Sequence, residues 1–215
     1  MTRLALIHGS AHSVAPINEA LARDWPHAMR LNLLDDSLSS DLATCGAGLD
    51  QAMHDRFAQL ASYAVDCGCD AILFSCSGFG LCIEAVARRH APLPVLKPND
   101  AMIAQATSLG CRIGLIASSA PTLQSLTIEF PTETELESAL VKDAMQALNN
   151  GDTARHDAMV VSAAERLANQ GCAVIALAQF SMARARKQVA ERTGLPVLTT
   201  LDSAVIELRR RLGPA

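Results

Sequence analysis

The sequence predicts an α/β protein. Two similar α/β halves with mostly parallel sheets are expected to be related by a pseudo-twofold axis, with an active-site cleft between them. Three observations carry this. Short apolar runs alternate with longer stretches of helical period. Half of the 215 residues are hydrophobic but only 3% are aromatic, an aliphatic composition suited to helices packed on buried parallel strands. Three segments recur in the same order along the chain.

Taken in order, residues 3–8 (RLALIH) read as a buried strand, 17–23 as a helix and 29–33 as a second strand. Residues 49–67 place Met53, Phe57, Leu60, Ala61 and Ala64 on one helical face. A strand at 71–75 (AILFS) leads to a helix at 79–90, then to a short strand at 94–96 beside Pro92 and Pro94. Asn99 is placed to cap a helix reaching Leu109. Residues 112–117 (RIGLIA) read as a strand and 127–132 as loop or edge strand. Helices are expected over 133–148 and 153–170, parted by Asn149-Asn150-Gly151. A strand at 173–178, a helix at 182–192 closed by Gly194, a strand at 196–198 and a helix at 202–212 complete the chain.

The repeat pairs Arg3-Leu4-Ala5-Leu6-Ile7-His8-Gly9-Ser10 with Arg112-Ile113-Gly114-Leu115-Ile116-Ala117-Ser118-Ser119. It pairs Gly68-Cys69-Asp70-Ala71-Ile72-Leu73-Phe74-Ser75-Cys76 with Gly171-Cys172-Ala173-Val174-Ile175-Ala176-Leu177-Ala178-Gln179, and Leu93-Pro94-Val95-Leu96 with Leu195-Pro196-Val197-Leu198. Residues 1–98 with 203–215 are therefore expected to form the half carrying Cys76. Residues 99–202 are expected to form the half carrying Ser118 and Gln179. In parallel sheets ligands sit beyond the C-terminal strand ends, which here are His8 to Ser10, Cys76 to Gly78, Ser118-Ser119, and Gln179 to Ser181.

Composition excludes several classes. The net charge is −4, and the short basic clusters at Arg184, Arg186 and Lys187 and at Arg209 to Arg211 lack nearby aromatics, so no nucleic acid is expected as a partner. The apolar runs are strand-sized, far below the ~20 residues of a membrane span, and Met1 to Ser10 lacks a signal-peptide pattern; no membrane partner is expected. The odd set of cysteines (Cys45, Cys67, Cys69, Cys76, Cys82, Cys111, Cys172) reads as cytoplasmic thiols. Cys67-Gly68-Cys69 has the wrong spacing for a zinc site, so no metal is expected. There is no P-loop and no dinucleotide fingerprint, so no cofactor is expected.

The chemistry is expected at Cys76, where a small, polar S-C-S-G-F-G segment follows an apolar strand. A thiol at a helix N-terminus is biased toward thiolate. Ser77 and Gly78 can present backbone N–H groups to a carboxylate. The other six cysteines are expected to be small buried residues. His8 reads as an acid/base partner, a carboxylate ligand or a histidine bonded to its own turn. Ser10, Ser118 and Ser119 offer hydroxyls in matching turns. His27, His54, His90 and His156 read as surface residues.

Residues 70–78 (DAILFSCSG), 112–118 (RIGLIAS) and 194–198 (GLPVL) resemble motifs of the aspartate/glutamate/hydantoin racemase superfamily, which also contains maleate isomerases and arylmalonate decarboxylases. The resemblance covers most of the chain. It implies a cofactor-independent isomerase of the racemase/epimerase type acting on a small carboxylic acid or amino-acid derivative. It also raises a homodimer as an expectation. Cys76 stands at the first cysteine motif. Gln179 stands where the second cysteine would be, and glutamine is neither acid nor base at neutral pH. The resemblance thus implies chemistry with a single thiol, with Gln179 orienting the substrate and His8, Ser10, Ser77, Gly78, Ser118 and Ser119 binding it. A decarboxylase or other lyase and a non-catalytic small-acid binding protein are the alternatives.

Overall fold

A computed structural model describes residues 1–44 and 48–213. The chain divides into two compact units, one holding Met1–Pro98 and the chain from Ala204 onward, the other Asn99–Ser203.

In the first unit the strands β1 (Arg3–His8), β2 (Met29–Leu34), β3 (Ala71–Phe74) and β4 (Val95–Leu96) form one sheet in the order β2-β1-β3-β4. All its pairings are parallel. The helices are α1 (Val14–Asp24), α2 (Ser37–Thr44), α3 (Gln51–Asp66) and α4 (Gly80–His90). Period-2 alternation sends Ala5, Ile7, Ile72 and Phe74 to one face, where they meet Met53, Phe57, Ala61 and Ala64 of α3 and Ile83 and Val86 of α4. Phe57 stacks on Phe74 with centroids 5.2 Å apart, and Phe79 lies 5.0 Å from Phe57. Phe79 lies in the β3–α4 turn that carries Cys76, and all three rings share an apolar cluster with Cys76. Asp50 caps α3 by accepting from the Met53 N–H at 2.9 Å.

In the second unit β5 (Ile113–Ala117), β6 (Leu136–Leu140), β7 (Val174–Leu177) and β8 (Val197–Thr199) form the sheet β6-β5-β7-β8, again all parallel. The helices are α5 (Asp100–Ser108), α6 (Ala120–Glu129), α7 (Ala144–Asn149), α8 (Thr153–Asn169) and α9 (Arg186–Thr193); α10 (Thr200–Leu212) begins here and ends in the first unit. Leu115, Ala117, Val174 and Ala176 face Met102, Ile103 and Leu126, while Ile116, Ile175 and Leu177 face Val160, Ala164 and Leu167 of α8. Burial on both faces explains why these strands read as unbroken apolar runs. Gly194 ends α9 in the left-handed region at φ 67°.

The repeat holds to the level of register. Leu4 pairs with Ala71 and its counterpart Ile113 with Val174; Ile72 pairs with Val95 and Ile175 with Val197. The turn bonds also recur: Ser75 N–H to the Ile7 carbonyl at 2.9 Å and Ala178 N–H to the Ile116 carbonyl at 3.0 Å. Two similar α/β halves are thus a property of the structure as well as of the sequence.

Several expectations are corrected. Residues 136–140, expected within a helix, form the edge strand β6, where Glu137 is ion-paired to Arg112, the residue before β5; tertiary pairing overrides helical propensity there. Residues 127–129 close α6 rather than a loop or strand. Asn99 makes no side-chain cap, and its Nδ2 donates to Glu129 at 3.2 Å. His156 is fully buried rather than on the surface, with Nδ1 2.7 Å from Asp157. Cys69, Cys82 and Cys172 are buried as expected, but Cys67 and Cys111 are only half-buried; Cys45 lies outside the described residues.

Candidate active site

The first unit gathers its chemistry where β1 and β3 end. Cys76 is 7% exposed and belongs to the apolar cluster under the sheet. Its Sγ lies 3.9 Å from the Ile7 carbonyl, to which the thiol donates. The sulfur packs against the Gly9 backbone. Glycine is required at position 9 because a Cβ there would stand 2.8 Å from Sγ.

Burial pushes the Cys76 thiol up to about 12; the Asp35 charge adds to this, and the neighbouring Gly9 and Ser75 groups oppose it. This corrects the expectation of a helix-activated thiolate. The first residue of α4 is Gly80 and its cap is Phe79, so Cys76 lies three residues ahead of the cap. The helix field fades within about one turn, and desolvation dominates.

Behind the thiol stands His8, 0% exposed. Its Nε2 is 3.0 Å from Asn32 Oδ1 and its Nδ1 2.9 Å from Ser75 Oγ. Asn18 fixes the orientation of Asn32. Its Nδ2 donates to the Val14 carbonyl at 2.7 Å and to Asn32 Oδ1 at 2.8 Å, so an oxygen faces His8. Nε2 therefore carries the proton and Nδ1 accepts from the Ser75 hydroxyl. Burial lowers the His8 pKa and the Asn32 contact partly restores it, which keeps the ring neutral. Both ring nitrogens are engaged by protein partners, Asn32 and Ser75.

Ser10 is half-buried in the turn after β1, and its carbonyl accepts from the Ser13 N–H at 3.1 Å. Ser77 is buried and Gly78 half-buried in the turn leading to α4. Asp35 follows β2 and is held by Arg56 at 2.6 Å and by the Ser37 hydroxyl at 2.7 Å.

The second unit carries its own strand-end cluster. Gln179 Oε1 accepts from the Ser118 N–H at 2.7 Å and from the Ser118 hydroxyl at 2.8 Å. Ser119, half-buried, stands at the N-cap of α6 without a side-chain cap bond. Past Gln179 a 3-10 turn, Phe180–Ala185, is braced by Arg184, whose Nε donates to both Asp157 oxygens at 2.9 and 3.0 Å. Cys76, Gly9, His8 and Ser75 thus assemble in one unit, and Ser118 with Gln179 in the other.

The sequence reading missed Ser75, Asn32 and the packing role of Gly9. The signal for Ser75 was a hydroxyl closing an otherwise apolar strand. Among the described residues no group of three or more His, Cys, Asp or Glu side chains could hold a metal, and no helix is long and apolar enough to cross a membrane.

Residues 7–208 match the Asp/Glu/Hydantoin racemase family. The chain belongs to that family. A search of curated proteins finds no match. Among solved structures, glutamate racemase from Francisella tularensis superposes with a TM-score of 0.74 at 16% identity, covering 98% of this chain and 81% of that one. Aspartate racemase from Picrophilus torridus gives 0.75 at 13% identity, covering 99% and 95%. Allantoin racemase from Pseudomonas fluorescens gives 0.69 at 17%, covering 100% and 93%. At these identities the superpositions establish the fold. Membership in the family supports an enzyme of the racemase type.

Proposed function

We propose that this racemase-family protein is a cofactor-independent isomerase of a small carboxylic acid or amino-acid derivative, working through one thiol, Cys76. The observation that carries this is the asymmetry of the repeat. Cys76 is held against the backbone at Gly9 and donates to the Ile7 carbonyl, whereas its counterpart Gln179 is tied to Ser118 and cannot exchange protons. In the first unit Ser10, Ser77 and Gly78 offer donors for carboxylate or amide oxygens, and in the second Ser119 does, while both donors of Ser118 are taken by Gln179. Gln179 keeps its side-chain NH₂ for orienting the substrate.

A single thiol constrains the outcome. A proton taken and returned by the same sulfur exchanges with solvent on one face. Inversion needs a donor on the opposite face, which Gln179 does not provide. A thiolate that adds to a double bond needs no second donor, because the bond rotates and the same sulfur leaves. A second reading, a decarboxylase, is favoured by the thiol resting in its protonated form. There the carbon–carboxylate bond breaks, CO₂ departs and the carbanion takes the S–H proton.

The test is a screen in D₂O of glutamate, aspartate, allantoin and unsaturated diacids, with Cys76→Ala as control. Deuterium in recovered substrate, or altered double-bond geometry, that vanishes in the control supports the isomerase. CO₂ release supports the second reading. Binding without any of these would leave a small-acid binding protein and sink both.

A further inference from the structure

We infer that Asp157 and Arg184 position Gln179, by anchoring on α8 the far end of the 3-10 turn that Gln179 begins. The step rests on the reading of Gln179 as the residue that orients the substrate. Asp157 and Arg184 are positioning residues for it.

Three observations carry it. First, the turn is held at both ends. At its start the Gln179 carbonyl accepts from the Met182 N–H at 2.9 Å, and the Gln179 side chain takes both donors of Ser118. At its end Arg184 Nε donates to both oxygens of Asp157, at 2.9 and 3.0 Å. Phe180, Ser181 and Met182 between them are buried, and close-packed segments transmit strain rather than absorb it. Second, the turn needs such an anchor. Runs of 3-10 helix rarely exceed about three or four residues, because their hydrogen-bond geometry is poor, and this one has six, Phe180–Ala185.

Third, the carboxylate is buried in the half that carries Gln179 and exposed in the other. One segment recurs at the start of α3 and α8: Asp50-Gln51-Ala52-Met53-His54-Asp55 and Asp152-Thr153-Ala154-Arg155-His156-Asp157. In both, the first aspartate caps the helix, accepting from the Met53 N–H at 2.9 Å and from the Arg155 N–H at 3.0 Å. In the first unit Asp55 is exposed and accepts from Gln51 of its own helix at 2.8 Å. There the chain runs from Cys76 through a short turn into α4 at Gly80. In the second unit His156 and Asp157 are buried, and His156 Nδ1 lies 2.7 Å from the Asp157 Oδ1 that Arg184 also reaches. Taking a carboxylate out of water is costly even when it is paired. The first unit avoids that cost, and the second bears it at the turn that starts with Gln179.

The test is amide hydrogen exchange read by NMR on the full chain without substrate. The Ser118 N–H, closed by Gln179 Oε1, is the reporter. The Ala178 N–H, closed by the Ile116 carbonyl at 3.0 Å, is the reference for the fold. In Arg184→Met, Ser118 should exchange at least about tenfold faster than in the wild type while Ala178 stays as slow. The signals of the Gln179 side-chain NH₂ should move with it. Arg184→Met combined with Asp157→Asn leaves no buried charge unpaired, so it stays folded where the single variant does not, and it should show the same loss. Arg186→Met is the control. It removes the neighbouring exposed pair with Asp202 at 3.3 Å and should leave Ser118 as in the wild type. Ser118 exchange and Gln179 signals that keep their wild-type values in the folded variants overturn the inference, as does an equal acceleration in Arg186→Met. Since no substrate is used, a screen without turnover counts against the isomerase reading alone, and an unmoved Ser118 counts against the positioning role alone.

Discussion

The Gln179 side-chain carbonyl takes both donors of Ser118, the backbone N–H at 2.7 Å and the hydroxyl at 2.8 Å. Ser118 is buried, so removing the acceptor strands two polar groups away from water. Gln179→Ala should cost roughly 1–3 kcal/mol in urea denaturation. Gln179→Glu keeps an acceptor oxygen and should retain most of that stability. It adds a negative charge where a carboxylate substrate is proposed to bind, so KM should rise about tenfold or more with a smaller change in kcat. Equal KM values for the wild type and Gln179→Glu would remove Gln179 from the binding site.

The Gly9 backbone packs against the Cys76 thiol. A methyl at position 9 would stand 2.8 Å from the sulfur, and the sulfur is enclosed by the core under the sheet. Gly9→Ala should cost about 1–3 kcal/mol by overpacking. It should also lower turnover by about tenfold to a hundredfold through misplacement of the thiol. The control is Gly9→Ala combined with Cys76→Ala, which relieves the clash. If the double variant is no more stable than its single effects sum to, the two residues do not share the space the geometry gives them.

Both sheets were legible in the sequence because their central strands are buried on both faces and appear as unbroken apolar runs, as in residues 3–8 and 112–117. The register was legible through the repeat, since Leu4 opposite Ala71 recurs as Ile113 opposite Val174. β6 was not legible. As an edge strand that is at most half-buried, it lacks the apolar run and carries Glu137 and Ser138 in a stretch that also reads as helix. The position of Cys76 followed from the strand that ends before it. Its protonation did not, because burial is set by Gly9, Leu38 and the α3 side chains, which are distant in sequence. The same holds for His8, whose roles were left open until Asn32 on the neighbouring strand settled which nitrogen carries the proton.

Glu207 on α10 lies three and four residues before Arg210 and Arg211 and bonds both at 2.7 Å. The Arg210 bond holds its carboxyl well below the usual 4.5, down to about 2, with Arg211 adding to the effect and burial opposing it. A depressed carboxyl stabilises the fold above its unfolded value, and the contribution is lost as pH falls from about 4.5 toward 2. The arginines are largely exposed, so the gain at neutral pH should be only about 0–1 kcal/mol. Glu207→Gln should lower Tm slightly at pH 7 and leave it unchanged at pH 2. A carboxyl that titrates near 4.5 by NMR would refute the pairing.

Cys76 should make the fold sensitive to alkali. Burial raises its thiol from 9.0 to about 12 in the folded protein, while the unfolded chain titrates near the ordinary value. A raised group favours the folded state fully below the unfolded value, and the advantage is lost as pH climbs from about 9 toward 12. Across that window the loss attributable to Cys76 should approach about 1.4 kcal/mol per pH unit. Cys82, raised to about 11 by burial, contributes in the same direction, so the measurement must be a difference. Unfolding free energies of wild type and Cys76→Ala are compared at pH 8, 9.5 and 10.5. The variant loses packing at every pH, but its stability should fall less steeply than the wild type's above pH 9. Parallel slopes would mean that Cys76 ionises as readily in the folded chain as in the unfolded one, and the thiol would not be the buried, protonated group that the strand ends enclose.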